Sequence, residues 1–282
     1  MTEIRFYGEG LAGFTRTKPL PGRLIVLEGT DGVGRSTQIA LLREWVESQG
    51  YAVQSTGLKR SALAGEGIKK AMDGHTLGNI TANLFYATDM VDRLEKVIIP
   101  ALRAGFVVLT DRYIYSIIAR AVVRGVDPGW ICDVFGFALV PDAVFYLKAD
   151  LPHLIPRVLS DRQFNYWESG KDFLANGDYF DAFVEYQTRL LAQFETMSEE
   201  YDFRCIDATQ SIRDVFHALT EEIGTGLASM KPVPPKKAEK ELAGVLADMK
   251  AAPTKKVEKE LSEAVTGAVA EEETKKKKQK KS

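Results

Sequence analysis

Gly29-Thr30-Asp31-Gly32-Val33-Gly34-Arg35-Ser36-Thr37 is the stretch on which the fold turns. It follows the pattern G-x-x-x-x-G-K-[ST], whose glycines let successive backbone N–H groups close around phosphate oxygens. A hydroxyl then serves Mg²⁺, and a Lys serves the β- and γ-phosphates. Both glycines and the Ser36-Thr37 pair stand at that spacing, but Arg35 holds the Lys position. The preceding Leu24-Ile25-Val26-Leu27-Glu28 is a short, β-branched apolar run and reads as a buried strand. From Thr37 to Gln49 the chain reads as a helix, with Ile39, Leu42, Trp45 and Val46 on one face and Gly50 as its stop. Strand, glycine loop, helix is the order in which a helix N-terminus holds phosphate. The plainer reading is an ordinary Gly-rich turn, and the flanking elements weigh against it.

Outward from this loop, strand-like runs alternate with helical patterns. Candidate strands are 24–28, 51–55, 106–110, 143–147 and 203–207. Helical patterns lie near 37–49, 64–73, 78–104, 114–124, 128–138, 151–160, 178–200 and 211–226. That alternation predicts an α/β fold: a five-stranded parallel sheet between helical layers, the three-layer arrangement of phosphate-loop proteins. Ligands of such sheets sit beyond the carboxyl ends of the strands. The glycine loop and Asp111-Arg112 both fall there.

The chain has 282 residues, 45% of them hydrophobic and 27% charged, a globular composition with a net charge of −2. That charge is split: residues 231–282 hold 14 Lys and 9 acids, leaving the remainder at −7. An acidic body with a basic tail excludes a nucleic-acid binder that uses its whole surface. Cys132 and Cys205 are too few for a disulfide framework and point to a reducing cytosol. No apolar stretch approaches the ~20 residues of a membrane span, so a cytoplasmic protein without membrane partners is expected. His75, His153 and His217 lack ligand spacing, and no metal beyond Mg²⁺ is implied.

Three regions follow. Residues 1–22 form a Gly/Pro-punctuated N-terminal extension, 23–228 the α/β domain, and 229–282 a Lys/Ala/Glu-rich tail. The tail repeats itself at an offset of 19 residues, from Lys236-Lys237 to Lys255-Lys256, with two narrow apolar stripes. Such a segment is expected to be disordered or marginally helical. Its Lys275–Lys278 run offers a salt-sensitive contact to nucleic acid or protein, or serves only to solvate the tail.

Four segments in register, GTDGVGRST, Leu84-Phe85-Tyr86-Ala87-Thr88-Asp89, Ile99-Pro100-Ala101-Leu102 and Asp111-Arg112-Tyr113-Ile114-Tyr115-Ser116, resemble the thymidylate kinase family over about residues 22–227. Arg124-Gly125 and Pro141-Asp142 look like that family as well. The resemblance implies a phosphate-loop nucleoside monophosphate kinase, ATP and Mg²⁺ as co-substrates, a nucleoside monophosphate such as thymidylate as acceptor, and a homodimer.

The residues suit phosphoryl transfer, which asks for positioning and charge neutralisation. All nine residues of Gly29–Thr37 are assigned to the ATP phosphates. Ser36 is assigned to Mg²⁺ directly, Asp111 to metal-bound water or to orienting Arg112, and Arg112 to the acceptor phosphate. Asp111-Arg112 read as a surface ion pair is the plainer alternative. Asp31 either reaches the acceptor or is a turn residue only. The resembled family places an extra catalytic Arg either in the glycine loop or in a mobile lid. Thr30 to Val33 contain no Arg, so the resemblance implies the lid form, with Arg162 ahead of Arg157 as candidates and a solvated helix-face charge as the plainer reading of each. The catalytic set is thus Arg35, Asp111, Arg112 and Arg162.

Departures from the family cluster at the acceptor. Gly57-Leu58-Lys59-Arg60-Ser61-Ala62 replaces an Arg-Glu-Pro-Gly-Gly-Thr stretch, Met90 an Arg, and Arg120-Ala121 a Tyr-Gln. Lys59, Arg60, Arg93, Arg120 and Arg124 are expected to supply a different set of cations. Arg35 either handicaps turnover or acts as the transition-state cation. Two other readings stay open: a non-catalytic nucleotide-binding regulator or scaffold, and a kinase with another phosphorylated acceptor.

Overall fold

Leu24 and Val26 of β1 (Arg23–Glu28) face one way and Ile25 and Leu27 the other, and all four are buried. A strand covered on both faces reads as a continuous apolar run, which is why no alternation marks it. The computed structural model describes residues 4–11, 20–73, 77–161, 166–174 and 177–247. β2 (Val53–Gly57), β3 (Val107–Asp111), β4 (Ala143–Lys148) and β5 (Arg204–Asp207) join β1 in one sheet of order β2-β3-β1-β4-β5. All four pairings are parallel, as the strand–helix alternation predicts.

Helices cover both faces. α1 (Arg35–Ser48), α7 (Leu151–Asp161) and α9 (Ile212–Leu227) enclose Ile25, Leu27, Leu109 and Phe145. On the other face α3 (Asn79–Arg93), α5 (Ile114–Val123), α6 (Pro128–Val134) and α8 (Tyr179–Glu200) enclose Leu24, Val26, Val108 and Tyr146. α2 (Gly65–Asp73) stands at the carboxyl edge, against α3.

Three expectations change. The single helix over 78–104 is α3, a π-helical turn over Leu94–Ile98, and α4 (Ile99–Arg103). Pro100 lacks an N–H and its ring crowds the carbonyl four residues back. The wider turn, with Ile99 N–H donating to Leu94 O, accommodates it. The strand expected at 51–55 begins at Val53, because the Ala52 N–H turns to the Val233 carbonyl at 3.1 Å. That bond also shows that packing does not end at residue 228. Met230 and Ala238 are buried, residues 235–247 are helical, and Leu242 lies against the core. The rest of the tail, from 248, falls outside the described residues. At the other end Phe6 bridges antiparallel to Leu139 and the Tyr7 hydroxyl meets that of Tyr115, so part of the extension joins the body.

Candidate active site

The register aligns Leu27, Asp111 and Gly57 across β1, β3 and β2, so the loops after these strands share one edge. Gly34 starts α1 at φ +96°, a left-handed conformation open to glycine, and no heavy atom lies within 4 Å of where its Cβ would be. Gly34, the cap residue, has no side chain to bond the first N–H groups of α1, and Gly34–Thr37 line an open cleft. The cleft measures about 710 Å³, within the range of small-molecule sites. Its walls include Gly32–Gln38, Arg157 and Ser211. An uncapped helix start at a glycine loop fits a phosphate chain.

Arg35 is folded back into its own loop. Nη1 donates to the Gly29 carbonyl at 2.7 Å and to that of Thr30, and Nε donates to Asp111 Oδ1 at 2.9 Å. The other Asp111 oxygen accepts from Ser36 Oγ at 2.8 Å. Burial alone would raise the Asp111 carboxyl pKa; Arg35, Arg112 and Ser36 hold it below the ordinary value instead. Ser36 and Asp111 therefore stand together, two hard oxygen donors of the kind Mg²⁺ takes.

Arg112 follows at φ +69°, a strained setting for a side-chain-bearing residue. Its N–H donates to Leu27 O at 3.0 Å and its carbonyl accepts from Thr110 Oγ1 at 2.8 Å, which holds that conformation. The guanidinium is buried. Nη1 reaches Gly29 O at 3.1 Å and Ser116 Oγ at 2.9 Å, and Nη2 reaches Asp31 Oδ1 at 2.6 Å. Burial, Arg35 and Arg120 pull its pKa down to about 10. Asp31 Oδ2 accepts from Arg120 Nη2 at 2.8 Å, so Asp31 links the glycine loop to α5 and is more than a turn residue.

Glu28 was legible only as a strand end. Its fully buried carboxylate accepts from Tyr113 N–H at 2.8 Å, Ser116 N–H at 3.2 Å and Ser116 Oγ at 2.5 Å. It thereby caps α5 from a different strand and fixes the serine that Arg112 uses.

Beside Arg120 lies an apolar pocket between α2, α3 and α5, lined by Leu58, Met72, Tyr86, Ile117 and Trp167. Of the five cations expected there, Arg120 and Arg124 line the pocket, and Lys59 stands beside it with Nζ 6.0 Å from the centre of the Tyr86 ring. Arg93 is instead buried against Asp89, Nε to Oδ2 3.0 Å, because its position on α3 turns it into the core. Arg60 is exposed. Arg124 lines the pocket but is already engaged: it forks onto Asp172 at 2.7 and 3.1 Å and donates to Tyr186 Oη and Trp167 O, anchoring the segment that closes the pocket. Met90 is completely buried and absent from the lining. Arg157 lines the phosphate cleft and donates to Ala208 O at 2.9 Å, whereas Arg162 lies outside the described residues.

A family model described as thymidylate kinase matches residues 27–219. The chain is 36% identical over 196 residues to a probable thymidylate kinase 2 of Saccharolobus solfataricus, covering 69% of this chain and 92% of that one. It is 31% identical over 220 residues to a probable thymidylate kinase of Thermococcus gammatolerans, covering 73% and 100%. A probable thymidylate kinase of Thermococcus kodakarensis is 32% identical over 212 residues, covering 71% and 97%.

Proposed function

Since the chain belongs to the thymidylate kinase family, we propose that it transfers the γ-phosphoryl group of ATP to a nucleoside monophosphate, with thymidylate as the default acceptor. The observation that carries this reading is the link through Asp31. One of its oxygens binds Arg112, which also holds the glycine loop, and the other binds Arg120 at the mouth of the apolar pocket. The cleft lined by Asp31 and the apolar pocket lined by Arg120 are thus joined through one carboxylate. An acceptor phosphate oxygen there attacks the γ-phosphorus, and the bond to the bridging oxygen breaks to leave ADP.

In this reading the α1 amides and the glycine loop bind the donor phosphates. Arg35 neutralises charge beside them and keeps Asp111 ionised. Mg²⁺, held by Ser36 and Asp111, would neutralise the β- and γ-oxygens. Arg112 and Arg120 orient the acceptor phosphate, Tyr86 and Trp167 flank the base, and Arg157 borders the donor cleft. Arg162 is retained as the candidate lid cation. A second copy of the chain belongs to the same proposal. Ile80 and Leu84, one turn apart on α3 at 51% and 47% exposure, offer an apolar face for it. A cytoplasmic setting belongs to it too, and no helix among the described residues is long and apolar enough to cross a membrane.

The test is coupled ADP release with Mg·ATP and each nucleoside monophosphate in turn. Turnover with thymidylate above the others supports the default acceptor. Turnover with a different acceptor points to the altered Lys59 and Arg120 positions. Nucleotide binding without turnover would return the non-catalytic reading.

A further inference from the structure

Lys59 sits just past β2 at φ +60°, a conformation that non-glycine residues adopt rarely and at a cost. A buried ion pair holds it there. Asp89, fully buried and bonded to Arg93, accepts Lys59 N–H at 3.1 Å through Oδ2 and Ser61 N–H at 3.0 Å through Oδ1. Spending a desolvated carboxylate on the backbone of one loop makes sense when that loop must deliver a side chain to a fixed place.

The place is the acceptor site. Nζ lies 6.0 Å from the centre of the Tyr86 ring, and the half-buried chain faces charged groups from each element around it. Arg112 and Arg120 come from the β3–α5 connection and α5, Asp31 from the glycine loop, Glu168 from the closing segment, and the Tyr86 phenol from α3. Among the described residues the ammonium has no hydrogen-bond or ion-pair partner. Both oxygens of Asp31 already go to the two arginines. Lys59, Arg112 and Arg120 therefore share one neighbourhood in which the Asp31 carboxylate is already engaged, and a dianionic phosphate is the ligand that this charge pattern suits.

We propose that Lys59 is a direct ligand of the acceptor phosphate, and that acceptor binding draws a proton onto it. This rests on the reading of the site as a phosphoryl-acceptor site. In the empty site, burial first and then Arg120 and Arg112 lower the Lys59 pKa to about 8, against the partial opposition of Asp31 and Glu168. A fraction of the side chain is consequently neutral near physiological pH. A phosphate dianion reverses the balance of charge and returns Nζ to its protonated state, with the proton taken from solvent. Acceptor affinity therefore falls as pH rises above about 8, because the binding-competent ammonium becomes scarcer.

Calorimetric titration of thymidylate, and separately of inorganic phosphate, into the full-length protein tests this. Each titration is run in two buffers of different ionisation enthalpy. Proton uptake should be small below pH 7 and grow as pH rises through about 8. Lys59→Arg should bind thymidylate within about 3-fold of wild type while losing that rise, since guanidinium stays charged. Lys59→Met should bind it about 10- to 100-fold more weakly, with ADP affinity unchanged as evidence of an intact fold. Uptake that does not grow with pH, or that persists in Lys59→Arg, overturns the proposal while leaving the kinase reading standing. Binding of inorganic phosphate with uptake but of no nucleoside monophosphate retains Lys59 and sinks the nucleotide acceptor. Binding of neither overturns both.

Discussion

Arg35 Nε donates to Asp111 Oδ1 at 2.9 Å, so the residue that breaks the phosphate-loop pattern is tied to the carboxylate at the end of the neighbouring strand. The two side chains are 76 residues apart in sequence and 9% and 13% exposed. With Gly29 O and Thr30 O as further acceptors, the planar fork of Arg35 spans three partners at once. A lysine is a point charge on a flexible stem and cannot present that fork.

Arg35→Lys is therefore expected to lower kcat about tenfold with the ATP KM within a few-fold, because a small shift in charge placement beside the γ-phosphate is costly. Arg35→Ala should also lose about 3 kcal/mol of stability by leaving Asp111 short of its main partner. Steady-state kinetics and urea unfolding check the pair. A faster Arg35→Lys enzyme would mark Arg35 as a handicap and not an adapted group.

Arg112→Ala should weaken turnover with thymidylate by about 2–4 kcal/mol in kcat/KM. Sequence reasoning confines the loss to the acceptor, but Arg112 also holds Gly29 O and Asp31. ADP affinity should accordingly fall as well, by about tenfold, since the glycine loop loses a brace. Calorimetry with ADP measures this, and an unchanged affinity would mean that the loop is held without Arg112.

Asp111 makes stability depend on acid. Its folded pKa lies below the unfolded value of ~3.9, so between the two values the unfolded chain binds the extra proton and stability rises with pH. The contribution is complete above the unfolded value and is lost as pH falls through the depressed folded one. Urea unfolding of wild type and Asp111→Asn should show a stability gap that narrows from pH 5 to pH 3. A gap that stays constant would contradict the charge pairing with Arg35.

Truncation after residue 228 removes Met230, Ala238, Leu242 and the carbonyl that satisfies Ala52 N–H. A loss of about 3 kcal/mol is expected, or about 6–12 °C in Tm for a domain of this size. Truncation after residue 247 should leave Tm within about 1 °C of the full chain. Equal melting of both would mean that the 229–247 segment contributes nothing to the body.

The glycine loop, the strands around it and the order of elements were legible in the sequence because each is a local signal. Gly29 and Gly34 announce backbone that only glycine adopts readily, and Leu24–Leu27 announces a strand buried on both faces. The tertiary structure alone decided which charges meet. Arg93 and Lys59 look equally available in the sequence, yet the turn of α3 buries one against Asp89 while the backbone of the β2 loop, held by that same Asp89, carries the other into the site. Glu28 caps a helix 85 residues away, and Asp31 joins two arginines of the β3–α5 region, contacts that no local pattern records. Residues 230–242 read as solvated because their apolar groups are few. They are held because Gly105, Ala52 and the core edge offer a fitting surface, and burial depends on the partner as much as on the segment.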